Sequence, residues 1–170
     1  MQNTEIQTYL LQPSGVLPNH PVLPVLVYIR AFESSTDTIE AVFNRHRWLN
    51  SWKNGIFPYA HYHSNAHEVL GIASGEARLQ IGGADGITLD VHAGDVLVLP
   101  AGTAHQCLRA SEDFSVIGAY PDGMDYNIHK EEDGAIPGIQ QEIAAVPLPA
   151  TDPVFGEKGP LLNHWTSPAS

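Results

Sequence analysis

The sequence predicts an all-β chain: a sandwich or small antiparallel barrel, with one helix near the start and an extension wrapped over it at the end. Three observations lead there. Fifteen Gly and thirteen Pro break the 170 residues into short apolar runs, a texture of many turns and short strands rather than long helices. Between Gly55 and Asp122 those runs follow one another at close, regular spacing, as in a sandwich or barrel. A chain of this length that is 43% hydrophobic can bury one real core, so residues 1–170 are expected to form a single domain.

In chain order, "PVLPVLVYIRAF" (21 to 32) reads as a strand pushed towards a sheet edge by Pro21 and Pro24. A helix is expected next, with Asp37 and Glu40 in a capping arrangement and Ile39, Val42, Phe43, His46 and Leu49 at helical spacing. That face reads as core packing. "EARLQI" (76 to 81) and "ITLDVH" (87 to 92) flank an Asp85-Gly86 hairpin signal. "DVLVLP" follows the Gly94-Asp95 turn, "HQCLR" follows a turn at 100 to 104, and "FSVIGAY" closes the series. The proline-rich remainder is expected to wrap over the domain, with one short helix around 137 to 145. The organisation is thus an N-terminal strand and helix (1–50), a barrel core (51–122) and a C-terminal extension (123–170).

Charge excludes one class of partner. The formal net charge is −11, which repels a polyanionic backbone, so nucleic acid is not expected. Cys107 is the single cysteine, so no intrachain disulfide forms. "MQNTEIQTYL" has neither the basic nor the apolar region of a signal peptide, and no apolar run approaches a membrane span. The expectation is a cytoplasmic protein away from membranes.

The chemistry concentrates at "HYHSNAHE" (61 to 68). His61 and His63 share a face on a strand but not on a helix, so a shared metal needs the strand. His67 continues that face and Glu68 does not; a turn or bulge at Ser64-Asn65 would bring Glu68 in instead. Sequence alone does not bring His105 near 61 to 68; a closed barrel would. Three neutral imidazoles and a carboxylate suit one divalent first-row metal, Fe, Mn, Ni, Co or Zn, with positions left open for substrate or dioxygen. The bland readings are hydrogen-bonded histidines without a metal, a Glu68 that orients an imidazole from outside, and a solvated His67. The pair His67-Glu68 begins like H-E-x-x-H, but Gly71 stands where the second His belongs.

"GIFPYAHYHSNAHEVLGIASG" (55 to 75) resembles the first cupin motif, G(X)5HXH(X)4E(X)6G, at every defined position. "GDVLVLPAGTAHQCLR" (94 to 109) resembles the second, G(X)5PXG(X)2H(X)3N, with Arg109 where the family has Asn. The flanking extensions are similar to those of bacterial YjlB-type cupins. The resemblance implies a jelly-roll β-barrel, or double-stranded β-helix, with a metal in its mouth held by His61, His63, Glu68 and His105. It also implies a homodimer, as is common in related cupins. Gly55, Gly75, Gly94 and Gly102 of the motifs read as turn positions.

By strand parity Arg109 shares a face with His105 and Cys107, so it would either reach into the barrel to grip a carboxylate or phosphate, or pair with a nearby acid. Cys107 reads as a core residue. Tyr59 and Tyr62 would line the mouth or simply pack. Three functions remain. The preferred one is a metal-dependent oxygenase, dioxygenase-like, acting on a small organic molecule, with Glu68 as ligand and base. The second is a non-oxidative isomerase, lyase or hydrolase in which the metal is a Lewis acid on an enolisable carbonyl or activates water. The third is a binding module for a sugar or acidic metabolite without turnover.

Overall fold

A computed structural model describes residues 4–33 and 35–166. Among these residues eleven strands and three α-helices follow in order: β1 (Glu5–Tyr9), β2 (Val25–Ile29), α1 (Ile39–Arg45), β3 (Trp48–Asn54), β4 (His61–Tyr62), β5 (Glu68–Ser74) and β6 (Glu76–Ile81). Then come β7 (Ile87–His92), β8 (Val96–Leu99), β9 (His105–Ala110), β10 (Ser115–Pro121), β11 (His129–Lys130), α2 (Ile139–Ala144) and α3 (Leu161–His164). The strands form a six-stranded sheet, β1-β2-β8-β5-β10-β3, and a five-stranded sheet, β11-β4-β9-β6-β7. All pairings are antiparallel. The expected jelly-roll is realised as two sheets, without the hydrogen-bonded closure of a barrel.

Alternation builds the layers. Along β5, Leu70 and Ile72 pack with Leu97 and Leu99 of β8, Val116 of β10 and Leu79 and Ile81 of β6, so one core fills the space between the sheets. Val69, Val96, Val98, Ile117 and Ala119 point the other way and meet Ile39 and Phe43 of α1. Gly71 allows that helix to approach, since a Cβ there would stand 2.6 Å from Ile39 Cγ2.

The C-terminal extension covers the same outer face with Val154, Leu161 and Trp165. Its anchor is Asp152, fully buried. This carboxylate accepts bonds from Tyr28 Oη at 2.5 Å and from the N–H groups of Val154, Phe155 and Leu161 at 2.8, 3.0 and 3.1 Å. Trp165 Nε1 donates to the Pro24 carbonyl at 2.8 Å.

Two sequence expectations need correction. Leu49 lies on β3, not on the helix, because Arg47 takes φ 69° just after α1 and turns the chain. β2 is interior, flanked by β1 and β8; Pro21 and Pro24 precede the strand, so neither interrupts its ladder and β1 is the edge.

Candidate functional site

The chain leaves the five-stranded sheet after Tyr62 and enters the six-stranded sheet at Glu68, so strand alternation does not run through residues 63–67. That crossing resolves the competition between neighbours. Glu68 faces the inter-sheet space with Leu70, whereas His67 faces outward with Val69. His67 is fully used there: its Nδ1 accepts from the Ala101 N–H at 2.9 Å, its Nε2 contacts the Pro147 carbonyl at 3.1 Å, and its ring packs on Trp165.

His61 pairs directly with His105 across β4 and β9. His63 sits just beyond β4, where its carbonyl accepts from the Gly102 N–H at 2.7 Å. Gly102 holds φ 87°, and a Cβ there would meet Ile143 Cδ1 at 2.6 Å, so glycine is required at this turn. Ring nitrogens of His61, His63 and His105 lie within 4.8 Å of one another, and all three residues are buried. Glu68, 2% exposed, joins from the opposite sheet. Its Oε1 stands 3.3 Å from both His63 Nε2 and His105 Nε2.

The outer shell fixes the protons. Nδ1 of His61, His63 and His105 faces the carbonyls of Tyr59, Asn127 and Thr103 at 3.1, 2.6 and 3.0 Å. A carbonyl can only accept, so each Nδ1 carries a hydrogen, and in the neutral ring Nε2 presents a lone pair. Glu68 Oε2 accepts from Tyr120 Oη at 2.6 Å, and Tyr120 Oη accepts from Trp52 Nε1 at 2.7 Å. Glu68 Oε1 is buried with no hydrogen-bond partner among the described residues.

Three imidazole lone pairs and an ionised oxygen turned towards one another are an electrostatic mismatch unless a ring proton or a metal cation lies between them. The 3.3 Å spacings suit neighbouring ligands on one ion with bonds of about 2.1 Å. These residues could therefore hold a metal, and their outer-shell bonds are of the kind that orient ligating imidazoles.

Burial alone would lower His63; the Glu68 carboxylate outweighs it and raises it, so a proton on that ring and a metal cation are alternative partners for Oε1. Burial, and then the neighbouring His105, push His61 down to about 3, so it is neutral at pH 7. Burial alone would raise Glu68; positive charge and N–H donation from His63 and His105 outweigh it and hold the carboxyl well below the usual range, as a metal cation in the same place would. Burial and then Glu68 push the Tyr120 phenol far up, so it remains a donor.

A cavity of about 390 Å³ opens onto this cluster. Trp52, Ile56, Phe57, Leu70, Tyr126 and Ile128 supply its apolar lining. Arg109 is not brought to it. The β6–β9 register runs Leu79 with Cys107 and then Arg78 with Arg109, so Leu108 is an extra residue and the face switches there. Cys107 accordingly packs against the inter-sheet core. Arg109 instead lies on the outer surface in a depression shared with Arg78 and Asp90. Tyr62 also turns away, into a small cluster with Leu17 and Ala104, whereas Tyr59 stacks behind Phe57 at 4.9 Å.

Tyr120, Trp52, Tyr126 and Asn127 are the site residues that sequence reasoning missed. For Tyr120 a signal existed: Gly118 pairs with Leu70 and Ala119 with Val69, and the same register sets Tyr120 against Glu68. That register is invisible without the strand pairing.

Residues 50–117 match the family described as the Cupin domain. The uncharacterized protein YjlB of Bacillus subtilis (strain 168) is 42% identical over 161 residues, 95% of this chain and 97% of that protein. Among solved structures, an uncharacterized conserved protein with a double-stranded β-helix domain from Klebsiella pneumoniae is 14% identical, with 76% of this chain and 87% of that one covered and a TM-score of 0.38. Acireductone dioxygenase from Bacillus anthracis, with a cadmium ion in its active centre, is 21% identical over 50% of this chain and 57% of its own, with a TM-score of 0.35.

Proposed function

Because this chain belongs to the cupin family, as a YjlB-type member, we propose that it is a metal-dependent enzyme acting on a small organic molecule, and that its reaction is an oxygenation. His61, His63, His105 and Glu68 are the proposed ligands. The observation that carries the reading is Glu68 Oε1, buried with no hydrogen-bond partner among the described residues and 3.3 Å from two imidazole nitrogens that present lone pairs when their rings are neutral. A divalent first-row metal bound there would supply Lewis acidity and, if redox-active, a means of engaging dioxygen.

The chain's own residues do the rest. The carbonyls of Tyr59, Asn127 and Thr103 keep the three imidazoles in one tautomer. Tyr120 fixes the Glu68 carboxylate through Oε2, which leaves Oε1 facing the cluster. Glu68 is also the carboxylate placed to accept a proton from an enolisable substrate. Its affinity for protons is held down by His63 and His105, which favours the ligand role over the base. Trp52, Phe57 and Ile128 give the cavity apolar walls.

The test is anaerobic purification, elemental analysis, and a screen of carbonyl, enol and carboxylate compounds with dioxygen uptake as the readout. About one metal per chain and compound-dependent uptake are expected. Turnover that proceeds equally without dioxygen would replace oxygenation by Lewis-acid isomerase, lyase or hydrolase chemistry. A protein that never takes up metal would remove both.

A further inference from the structure

We infer that the substrate has a flat, apolar body, an aromatic ring system, carrying a neutral or singly charged oxygen-bearing head, and that small polyanions are not its class. This rests on the reading of the site as a metal centre only for where the head binds; the body is read from the cavity walls.

Phe57, Tyr126 and Ile128 stand at the cavity with 43%, 37% and 43% of their surface in water. A ligand that covers them gains the transfer free energy of that surface. Two of the three are rings already braced from behind. Phe57 stacks on Tyr59 at 4.9 Å and 12° between planes, and Tyr126 stacks on Tyr120 at 4.4 Å and 19°. A braced ring loses little freedom when a ligand lies on it, so its face is preorganised for another flat ring. Ile56 and Leu70 continue the apolar surface inward. The volume of about 390 Å³ falls in the range of sites that enclose a whole small molecule.

Charge points the same way. Among the described residues no guanidinium lines the cavity, and its one lysine, Lys53, is exposed. Arg78 and Arg109, the side chains best able to grip a dianion, lie on the outer face of the five-stranded sheet. The polar atoms of Trp52 and Tyr120 are already engaged with each other and with Glu68. A second carboxylate beyond the reach of the metal would be desolvated without a partner. The net charge of −11 adds a long-range penalty for polyanions.

Three probes test this by calorimetric titration: acetohydroxamate and 2-naphthohydroxamate, which share one metal-binding head, and malonate. Metal content is measured separately. With metal bound, the naphthyl compound is expected to bind at least about tenfold tighter than the acetyl compound, from the ring surface removed from water. Malonate should bind no better than the acetyl compound. In the combined Phe57→Ser and Ile128→Ser protein, both exposed positions, the naphthyl advantage should shrink several-fold while acetohydroxamate affinity stays put. An absent naphthyl advantage, or malonate as the tightest ligand, overturns the inference and leaves the metal centre standing. In chelator-treated protein, 2-naphthamide should still bind and malonate should not. That result in a protein that never takes up metal would keep the apolar-body inference and remove the metal reading.

Discussion

Replacing Tyr120 by Phe removes one oxygen and leaves the ring that stacks on Tyr126. The lost hydroxyl donates to Glu68 Oε2 at 2.6 Å and accepts from Trp52 Nε1 at 2.7 Å. Because Glu68 Oε1 has no hydrogen-bond donor among the described residues, the variant leaves both oxygens of a buried carboxylate without one. A hydrogen bond to a charged group contributes about 1.5–3 kcal/mol, and part of the lost stabilisation is recovered if the carboxylate rotates or takes up a proton. Either response moves Glu68 away from its role as an oriented anionic ligand. Metal affinity should therefore fall about 10- to 100-fold, the usual effect of losing an outer-shell partner. Competition titration against a chromophoric chelator at one pH reads this directly, with circular dichroism as a check that the fold is intact. If Tyr120→Phe binds metal as tightly as the parent, then Glu68 is not held in place by Tyr120, and the account of the shell is wrong.

The remaining expectations concern separate features. His63→Ala and Glu68→Gln should lose metal under gentle purification, while His67→Gln, whose ring faces the Pro147 carbonyl and Trp165, should retain it; elemental analysis in the reverse order would make His67 the ligand. His20 is lowered by burial from 6.5 to about 4, so the stability it contributes as a neutral ring is complete above pH 6.5 and is lost as pH falls towards 4. At pH 5 the loss is about 2 kcal/mol, and His20→Asn should flatten this part of the pH dependence of urea midpoints. Asp152→Asn should cost about 2–4 kcal/mol, since one oxygen of the four-bonded carboxylate becomes a donor facing donors; an unchanged melting temperature would refute the anchoring role. Arg109→Ala should change stability by no more than about 0.5 kcal/mol and leave metal affinity untouched, and a clear loss of metal would mean that the bulge at Leu108 is misplaced.

Local signals were readable wherever local rules decided the outcome. The strands expected at 76 to 81 and 87 to 92 form over those residues, and the short helix expected around 137 to 145 forms as α2. Period-2 alternation and hairpin chemistry act within a few residues, so neighbours in sequence carry the information. What sequence could not supply was set by pairing at a distance. A single unpaired residue, Leu108, reversed the face of Arg109, and no composition rule marks such a bulge. Tyr120 was passed over for Tyr59 and Tyr62 because its partner lies 52 positions away. The competition between His67 and Glu68 could not be settled by parity, because the chain changes sheets between Tyr62 and Glu68.

The wrapped C-terminal extension has a consequence for how the protein is made. Leu26, Tyr28, Val69, Val96 and Val98 on the outer face of the large sheet share their cluster with Val154, Leu161 and Trp165, so a nascent chain that has already paired its strands still presents that face to water. The side chains that cover it are synthesised more than thirty positions after the last strand of that sheet, β10. Until then the sheet is an adhesive surface of the kind chaperones bind. A ribosome that stalls between β10 and Asp152 therefore presents a sheet with nearly every ladder bond made and one side covered only by α1, which makes translation speed across the prolines near 147 to 153 a determinant of yield.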